Sequence, residues 1–398
     1  MLDNKKILRD ITKNKNFKIR ADEPFSEVVI NFMIDFSNGL KKEKGVNNFP
    51  DLIYLMFWCN KKKIYELKNN HSTDQLRLGR GLIFHITPSN VPTNFIYSFF
   101  FGLLSGNSNI VRLPSKSFPE KKIILSLINK LFKNKKYINL KNSNLFLNYE
   151  KNENQYTKNI SSICDGRIIW GGNETINQIR KFWIPERAVE LTFADRYSIS
   201  IINLNHLKQK KDKDFKLVVK NFFYDSYMMN QSACNSPHFV FWIGKKSNQI
   251  QNKFWNVLSN FVNKKFYLDE KSAVDKYSNL IENVFIQKKF ENLKMYQNNL
   301  YVINPNKNLL KIENIRGING TFFQKNISKI SNLKNFITKK CQTVTYLGLE
   351  KNELKKFLTE NNLFGVDRVV PIGKGLEIDT VWDGYDIINN LSRIITLK

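Results

Sequence analysis

Cys234 lies in the string NQSACNSPH (residues 230–238), a run of small and polar residues between a mostly apolar stretch and a Ser-Pro turn. A loop of that composition exposes a side chain and leaves backbone N–H groups beside it. Such dipoles lower the pKa of a thiol and favour the nucleophilic thiolate. The competing reading of any cysteine is a small buried hydrophobe. Cys59, Cys164 and Cys341 sit in no comparable loop, and no two of the four cysteines form a CxxC. No metal site is expected. The chemistry in view is therefore covalent, with Cys234 attacking an electrophilic carbon.

A nucleophile needs a scaffold that aims it. Residues 81–87 (GLIFHIT) form a short apolar run, as in a strand buried on both faces. A turn follows at 88–91, and Pro92 suits the first turn of a helix, where its missing N–H has no partner to lose. That helix is expected to reach Leu104 and stop at Ser105-Gly106-Asn107. Further strands are expected at 109–113, 167–170 and 197–203. Helices are expected from Pro119, with Ile123, Leu127, Ile128 and Leu131 at helical spacing, and over 174–183. This alternation gives right-handed crossovers and a parallel sheet covered on both faces. Such a sheet suits a dinucleotide, yet GxGxxG follows none of its strands, so a cofactor must be held differently. The lysine-rich residues 208–216 read as a separator. Residues 217–229 then read as a helix leading into the Cys234 string. Residues 238–244, 342–347, 353–363 and 367–372 read as strand, strand, helix and strand. Residues 1–78 read as mixed helical and polar material.

Taken together, several of these segments resemble the aldehyde dehydrogenase superfamily. Residues 79–117 match its pattern of a strand, a Pro-x-Asn-x-Pro-type turn, a helix, Gly-Asn and a second strand ending in a basic residue. The resemblance implies that Asn90 donates its amide to an oxyanion, where the residue alone would read as a turn or cap asparagine. Residues 167–179 (RIIWGGNETINQI) resemble the strand–turn–helix beside the cofactor pyrophosphate. There Gly171 and Gly172 would let the backbone approach and the helix N-terminus would favour an anion; a tight turn is the plainer reading. Residues 189–201 (VELTFADRYSISI) resemble the segment that carries the family's general base, placing Glu190 in that role. Thr192 and Phe193 stand where the family has glycines. The QSACNSP string and the carboxy-terminal GVDR, VPIGK and VWDGY strings narrow the resemblance to long-chain acyl-CoA reductases of the LuxC type, over residues 75–398.

The resemblance implies an α/β fold of aldehyde dehydrogenase type, with two interlocked parallel-sheet domains. The expected divisions are 1–204 (an amino-terminal segment plus a Rossmann-like NAD(P) domain), 205–375 (the catalytic cysteine domain) and 376–398 (a segment packing back or at an oligomer interface). It implies reduction of a fatty acyl thioester to the aldehyde through a Cys234 acyl-enzyme. The cofactor would be NADPH, held at Thr87, Pro88, Arg112, Ser115, Lys116, Gly171 and Gly172. Ser115 stands where many relatives carry an acid that binds the adenosine ribose. A serine there can hydrogen-bond a 2′-phosphate, and Arg112 or Lys116 can pair with it. The expected partners are acyl-CoA or an acyl-carrying protein or synthetase, and further copies of the chain. Oxidation of aldehyde to acid is the nearest alternative activity.

The formal net charge of +28 raises a third possibility, a basic scaffold for nucleic acid or an anionic surface. The lysine runs at 61–63, 133–136 and 208–211 are short and scattered, and none interleaves with stacking aromatics, so no specific nucleic-acid partner is expected. The aromatic-rich residues 95–101 and 222–227 suit either a packed core or the wall of an acyl channel. The most apolar run, 95–104, is too short for the roughly 20 residues of a membrane span. The first residues carry no apolar leader, and a bacterial, cytoplasmic setting with reduced thiols is expected.

Overall fold

A computed structural model describes residues 10–11, 16–71, 74–150, 153–288, 290–306 and 312–398. Most of the amino-terminal stretch read for a leader lies outside them. The chain divides into two compact units, 1–194 with 378–398, and 195–377. The first boundary falls ten residues before the expected one. The residues after 377 cluster with the first unit.

In the first unit, strand β1 (Arg77–Gly79) pairs antiparallel with the carboxy-terminal strand Ser392–Ile394. The main sheet holds β2 (Leu82–Ile86), β3 (Ser108–Arg112), β4 (Asn144–Leu147), β5 (Gly166–Trp170) and β6 (Val189–Phe193). Its order is β4-β3-β2-β5-β6, all parallel. Alternation along β2 explains its continuous apolar character. Ile83 packs with the helices Glu27–Lys42, Asn94–Leu104 and Pro119–Phe132. Leu82, Phe84 and Ile86 pack on the opposite face with the helices Asn154–Ser161 and Asn173–Arg180. Residues 1–78 supply three helices, Glu27–Lys42, Pro50–Trp58 and Lys61–Asn70, whose apolar faces join the first of these cores. The helix after β2 begins at Asn94, so Pro92 precedes it rather than opening it.

His85 is the polar exception in β2. It is fully buried between the Ser98 hydroxyl and the Asn109 carbonyl oxygen, each 2.8 Å from a ring nitrogen. Burial lowers its pKa to about 4, so the ring is neutral at pH 7. Both nitrogens are occupied, which makes it a strut rather than an acid–base group.

The second unit is built on β7 (Tyr197–Asn203), β8 (Pro237–Ile243), β9 (Phe290–Tyr296), β10 (Leu300–Pro305), β11 (Thr321–Ile327), β12 (Cys341–Leu347) and β13 (Arg368–Pro371). The order is β13-β12-β7-β8-β11-β10-β9, with β9 alone antiparallel. Residues 197–203 thus join the second sheet, not the first as their position after β6 suggested. The lysine-rich separator is mostly helical, as Leu204–Gln209 and the start of Asp212–Tyr227. Both aromatic-rich segments are core. Phe95, Phe99, Phe100 and Phe101 are at most 1% exposed, and Phe222, Phe223 and Tyr227 at most 4%. Among the described residues no helix is long and apolar enough to cross a membrane.

Candidate functional site

In the first unit the carboxyl ends of β3, β2 and β5 lie side by side, the edge at which open α/β sheets take ligands. The Thr87 hydroxyl donates to the Arg112 carbonyl at 2.7 Å, tying the exits of β2 and β3 together. Ser89 and Ser115 place their hydroxyls 3.3 Å apart, a second tie between the same two loops. Pro88 is half-buried, and Asn90 is exposed on the bend before the helix Asn94–Leu104.

Ser115 and Lys116 are exposed after β3. Arg112 is not: it is 8% exposed, its guanidinium carbon lies 4.7 Å from the centre of the Tyr149 ring, and Nη2 reaches the Tyr149 carbonyl at 3.5 Å. Its Nε has no hydrogen-bond partner within the described residues. The exposed side-chain donors just after β3 therefore include Ser115, Lys116 and Ser117, and not Arg112. No carboxylate occurs in residues 113–119 to repel a phosphate.

Beyond β5, Gly171 N donates to Phe193 O at 3.1 Å, and Gly172 caps the helix Asn173–Arg180. A Cβ at Gly172 would meet nothing within 4 Å, so the space beside this helix N-terminus is open. Open backbone at a helix start and exposed hydroxyl and ammonium groups after β3 fit an anionic dinucleotide.

Glu190 sits directly across from Arg167 in the β5–β6 register. One carboxylate oxygen accepts from Nε and Nη2 of Arg167, the Nε bond at 2.8 Å, and the other accepts from Nε of Arg180 at 2.8 Å. Arg167 is 2% exposed and also donates to the Ser161 hydroxyl and the Phe182 carbonyl. Two arginines thus engage both oxygens of Glu190.

The second unit holds Cys234, just before the amino end of β8. It is half-buried, whereas the other three cysteines are fully buried. Burial pushes the Cys164 and Cys341 thiols up to about 12 and Cys59 well above its ordinary value, so these three are not thiolates near neutrality. Several polar groups hold the loop of Cys234. Ser198 Oγ donates to the Cys234 carbonyl at 2.6 Å while accepting from Thr343 N at 3.2 Å. Asn235 Nδ2 donates to Gly375 O at 2.8 Å. Asp225, 1% exposed, accepts from Gly373 N and Gly375 N at 2.6 and 2.8 Å, fixing the segment on which Asn235 rests. Burial raises the Asp225 carboxyl to about 7 despite those bonds.

Gln231 is 2% exposed and has both ends of its amide engaged. Oε1 accepts from Gly320 N and Thr321 N at 2.8 and 3.1 Å, and Nε2 donates to Thr321 O and Pro237 O at 3.1 and 3.3 Å. In the sequence Gln231 stands out only as part of the QSACNSP string. The signal was an amide side chain three residues before Cys234, but its partners Gly320 and Thr321 lie about ninety residues away and leave no local pattern. Among the described residues no group of three or more His, Cys, Asp or Glu is arranged to hold a metal ion.

A doubly wound parallel sheet and a second, mostly parallel sheet whose unit carries the Cys234 loop define the aldehyde dehydrogenase fold, and known structures agree. An oxidoreductase from Marinobacter aquaeolei superposes with a TM-score of 0.66 at 9% identity, covering 99% of this chain and 90% of that one. A salicylaldehyde dehydrogenase from Pseudomonas putida, complexed with salicylaldehyde, gives 0.65 at 10% identity, covering 98% and 88%. A glyceraldehyde-3-phosphate dehydrogenase from Methanocaldococcus jannaschii, complexed with NADP, gives 0.62 at 14% identity, covering 99% and 92%. By sequence, no curated protein matches the chain. The chain belongs to the LuxC acyl-CoA reductase family, whose model matches residues 60–397. It is accordingly an oxidoreductase of acyl or aldehyde substrates.

Proposed function

We propose that the protein reduces a fatty acyl thioester to the aldehyde with NADPH, through an acyl-enzyme on Cys234. The observation that carries this reading is the contrast among the four thiols: one half-buried in a braced polar loop, three buried with raised pKa. The Cys234 thiolate attacks the thioester carbonyl. The tetrahedral oxyanion is stabilised by the Cys234 N–H and, as the family resemblance implies, by the Asn90 amide. The C–S bond to the carrier breaks, and the carrier leaves as its thiol, taking up the proton released by Cys234. NADPH, when bound, supplies the hydride that reduces the acyl group. The thiohemiacetal oxyanion on Cys234 then collapses: the C–S bond breaks, the aldehyde leaves, and the thiolate is returned, with a proton from solvent restoring the thiol.

This sequence consumes no water, so it needs no residue to activate one. Glu190, engaged by Arg167 and Arg180, is better explained as a brace between β5, β6 and the helix Asn173–Arg180. We assign the 2′-phosphate of the cofactor to Ser115 and Lys116, with the pyrophosphate at Gly171 and Gly172. Thr87 and Pro88 shape the loop between. The acyl donor is acyl-CoA or an acyl group on a protein carrier. A panel of acyl-CoAs of increasing chain length, with NADPH followed at 340 nm, tests the reading. Aldehyde formation supports it, whereas turnover of free aldehyde to acid with no turnover of any acyl thioester contradicts it.

A further inference from the structure

The proposed reaction asks more of Cys234 than exposure, because its sulfur and its own N–H must hold a fixed geometry around one carbonyl. The chain reaches that position through an unusual turn. Asn230 and Gln231 are consecutive non-glycine residues in the left-handed region, at φ 51 and 57°. Such a conformation costs free energy and persists only where its surroundings impose it. Two backbone bonds close the end of the preceding helix, from Asn230 N to Tyr227 O and from Gln231 N to Ser226 O, both at 3.0 Å. The turn 317–321 imposes the rest. Asn319 N donates to Asn230 O at 3.2 Å, and the Gln231 side chain joins Gly320 and Thr321 of this turn to Pro237, where β8 begins.

We infer that Gln231 is a positioning residue for Cys234: its amide pins both ends of the 231–237 loop to the turn 317–321 and so sets where the thiol stands. This inference rests on the reading of Cys234 as the nucleophile. The amide bridges main-chain groups of elements that are otherwise secured independently. The helix Asp212–Tyr227 is held by its apolar face, and β8 is hydrogen-bonded to β7 and β11 on either side. Loss of the bridge should therefore be felt in the loop between them rather than throughout the unit. The geometry also explains why a glutamine is used. Two N–H groups and two carbonyls face one side chain, and only a neutral amide satisfies both kinds.

Gln231→Glu tests this with a pH signature. Its carboxylate still accepts from Gly320 N and Thr321 N but sets a negative oxygen against two carbonyls. Protonation restores one donor. In the full-length protein, kcat for acyl-CoA should fall roughly tenfold or more with KM little changed, because small misplacements of a reacting group cost rate. The deficit should shrink as pH falls. The pH midpoint for iodoacetamide alkylation of Cys234 should rise by about half a unit or more. Gln231→Ala should show the same upward shift without the pH-dependent recovery. Wild-type kcat and an unchanged alkylation profile in folded Gln231→Glu would overturn the inference, as would a deficit independent of pH. Alkylation needs no substrate, so a wild-type protein that alkylates at Cys234 yet reduces no acyl thioester would refute the proposed function and leave the role of Gln231 measurable.

Discussion

Cys234 and Asn90 are short-range features. A cysteine among small polar residues and an asparagine between two prolines each suggest a loop; Asn90 is exposed on a bend, and Cys234 is half-buried in a turn. The difference in burial among the thiols gives a direct expectation. Brief alkylation of the native protein at pH 8, followed by peptide mapping, should label Cys234 and leave Cys59, Cys164 and Cys341 unmodified until the protein is denatured. Equal labelling of Cys164 or Cys341 would contradict their burial. If Asn90 donates to the oxyanion, Asn90→Ala should lower kcat on the order of 100- to 1000-fold with little change in KM. A change confined to KM would mark it as a substrate contact or turn residue. Gln231, Ser198 and Asn235 were not legible, because each bonds to groups distant in sequence, from 36 residues for Ser198 with Cys234 to 145 for Ser198 with Thr343, and such bonds have no periodicity to reveal them.

At the scale of elements, the buried strand at 82–86 and the helices after it followed from apolar runs and Pro/Gly punctuation, whose physical causes are local. The assignment of 197–203 failed for a different reason. Strand periodicity says that a strand exists but not which sheet it joins, and β7 finds its partners in β8 and β12 downstream. The lysine-rich stretch misled because lysine is a good helix former. Phe215, Val218, Val219 and Phe222 supply the buried face, and Lys216 pairs with Asp212 one turn back. Glu190 is the element-scale question in the first sheet. Glu190→Ala would leave the buried Arg167 guanidinium without its carboxylate, a loss that commonly costs about 3–5 kcal/mol. We expect a clearly lowered Tm with near-normal kcat in the fraction that remains folded. A normal Tm with abolished turnover would instead make Glu190 a catalytic base. At the end of β3, wild-type kcat/KM should be higher with NADPH than NADH, and Ser115→Glu should move the ratio towards NADH. Preference for NADH from the outset would remove the phosphate assignment and leave the cysteine chemistry standing.

Across the whole molecule, the charge of +28 reflects 63 lysines and arginines against 35 acids, and two carboxyls among the described residues, Asp51 and Asp225, are buried where ionisation is costly. Asp51 is 5% exposed, its Oδ2 has no partner among the described residues, and burial pushes its pKa up to about 7, with nearby Glu120 adding to the shift. A raised folded pKa means that the folded state binds more protons than the unfolded state between about pH 4 and 7. The stabilisation from protonated Asp51 is complete below about pH 4 and is lost as pH rises through 7. Asp51→Asn should therefore gain stability relative to wild type between pH 5 and pH 8, read as a growing difference in Tm. A difference independent of pH would show that Asp51 is ionised throughout. In the proposed reaction the first event is transfer of an acyl group to Cys234, and that event can be observed before any reduction occurs. Incubating the protein with a long-chain acyl-CoA in the absence of nicotinamide should add the mass of one acyl group to the intact chain. Peptide mapping should place it on Cys234, NADPH should discharge it as the aldehyde, and Cys234→Ala should acquire none. Acylation that persists in Cys234→Ala, or aldehyde formation by that variant, would contradict the account.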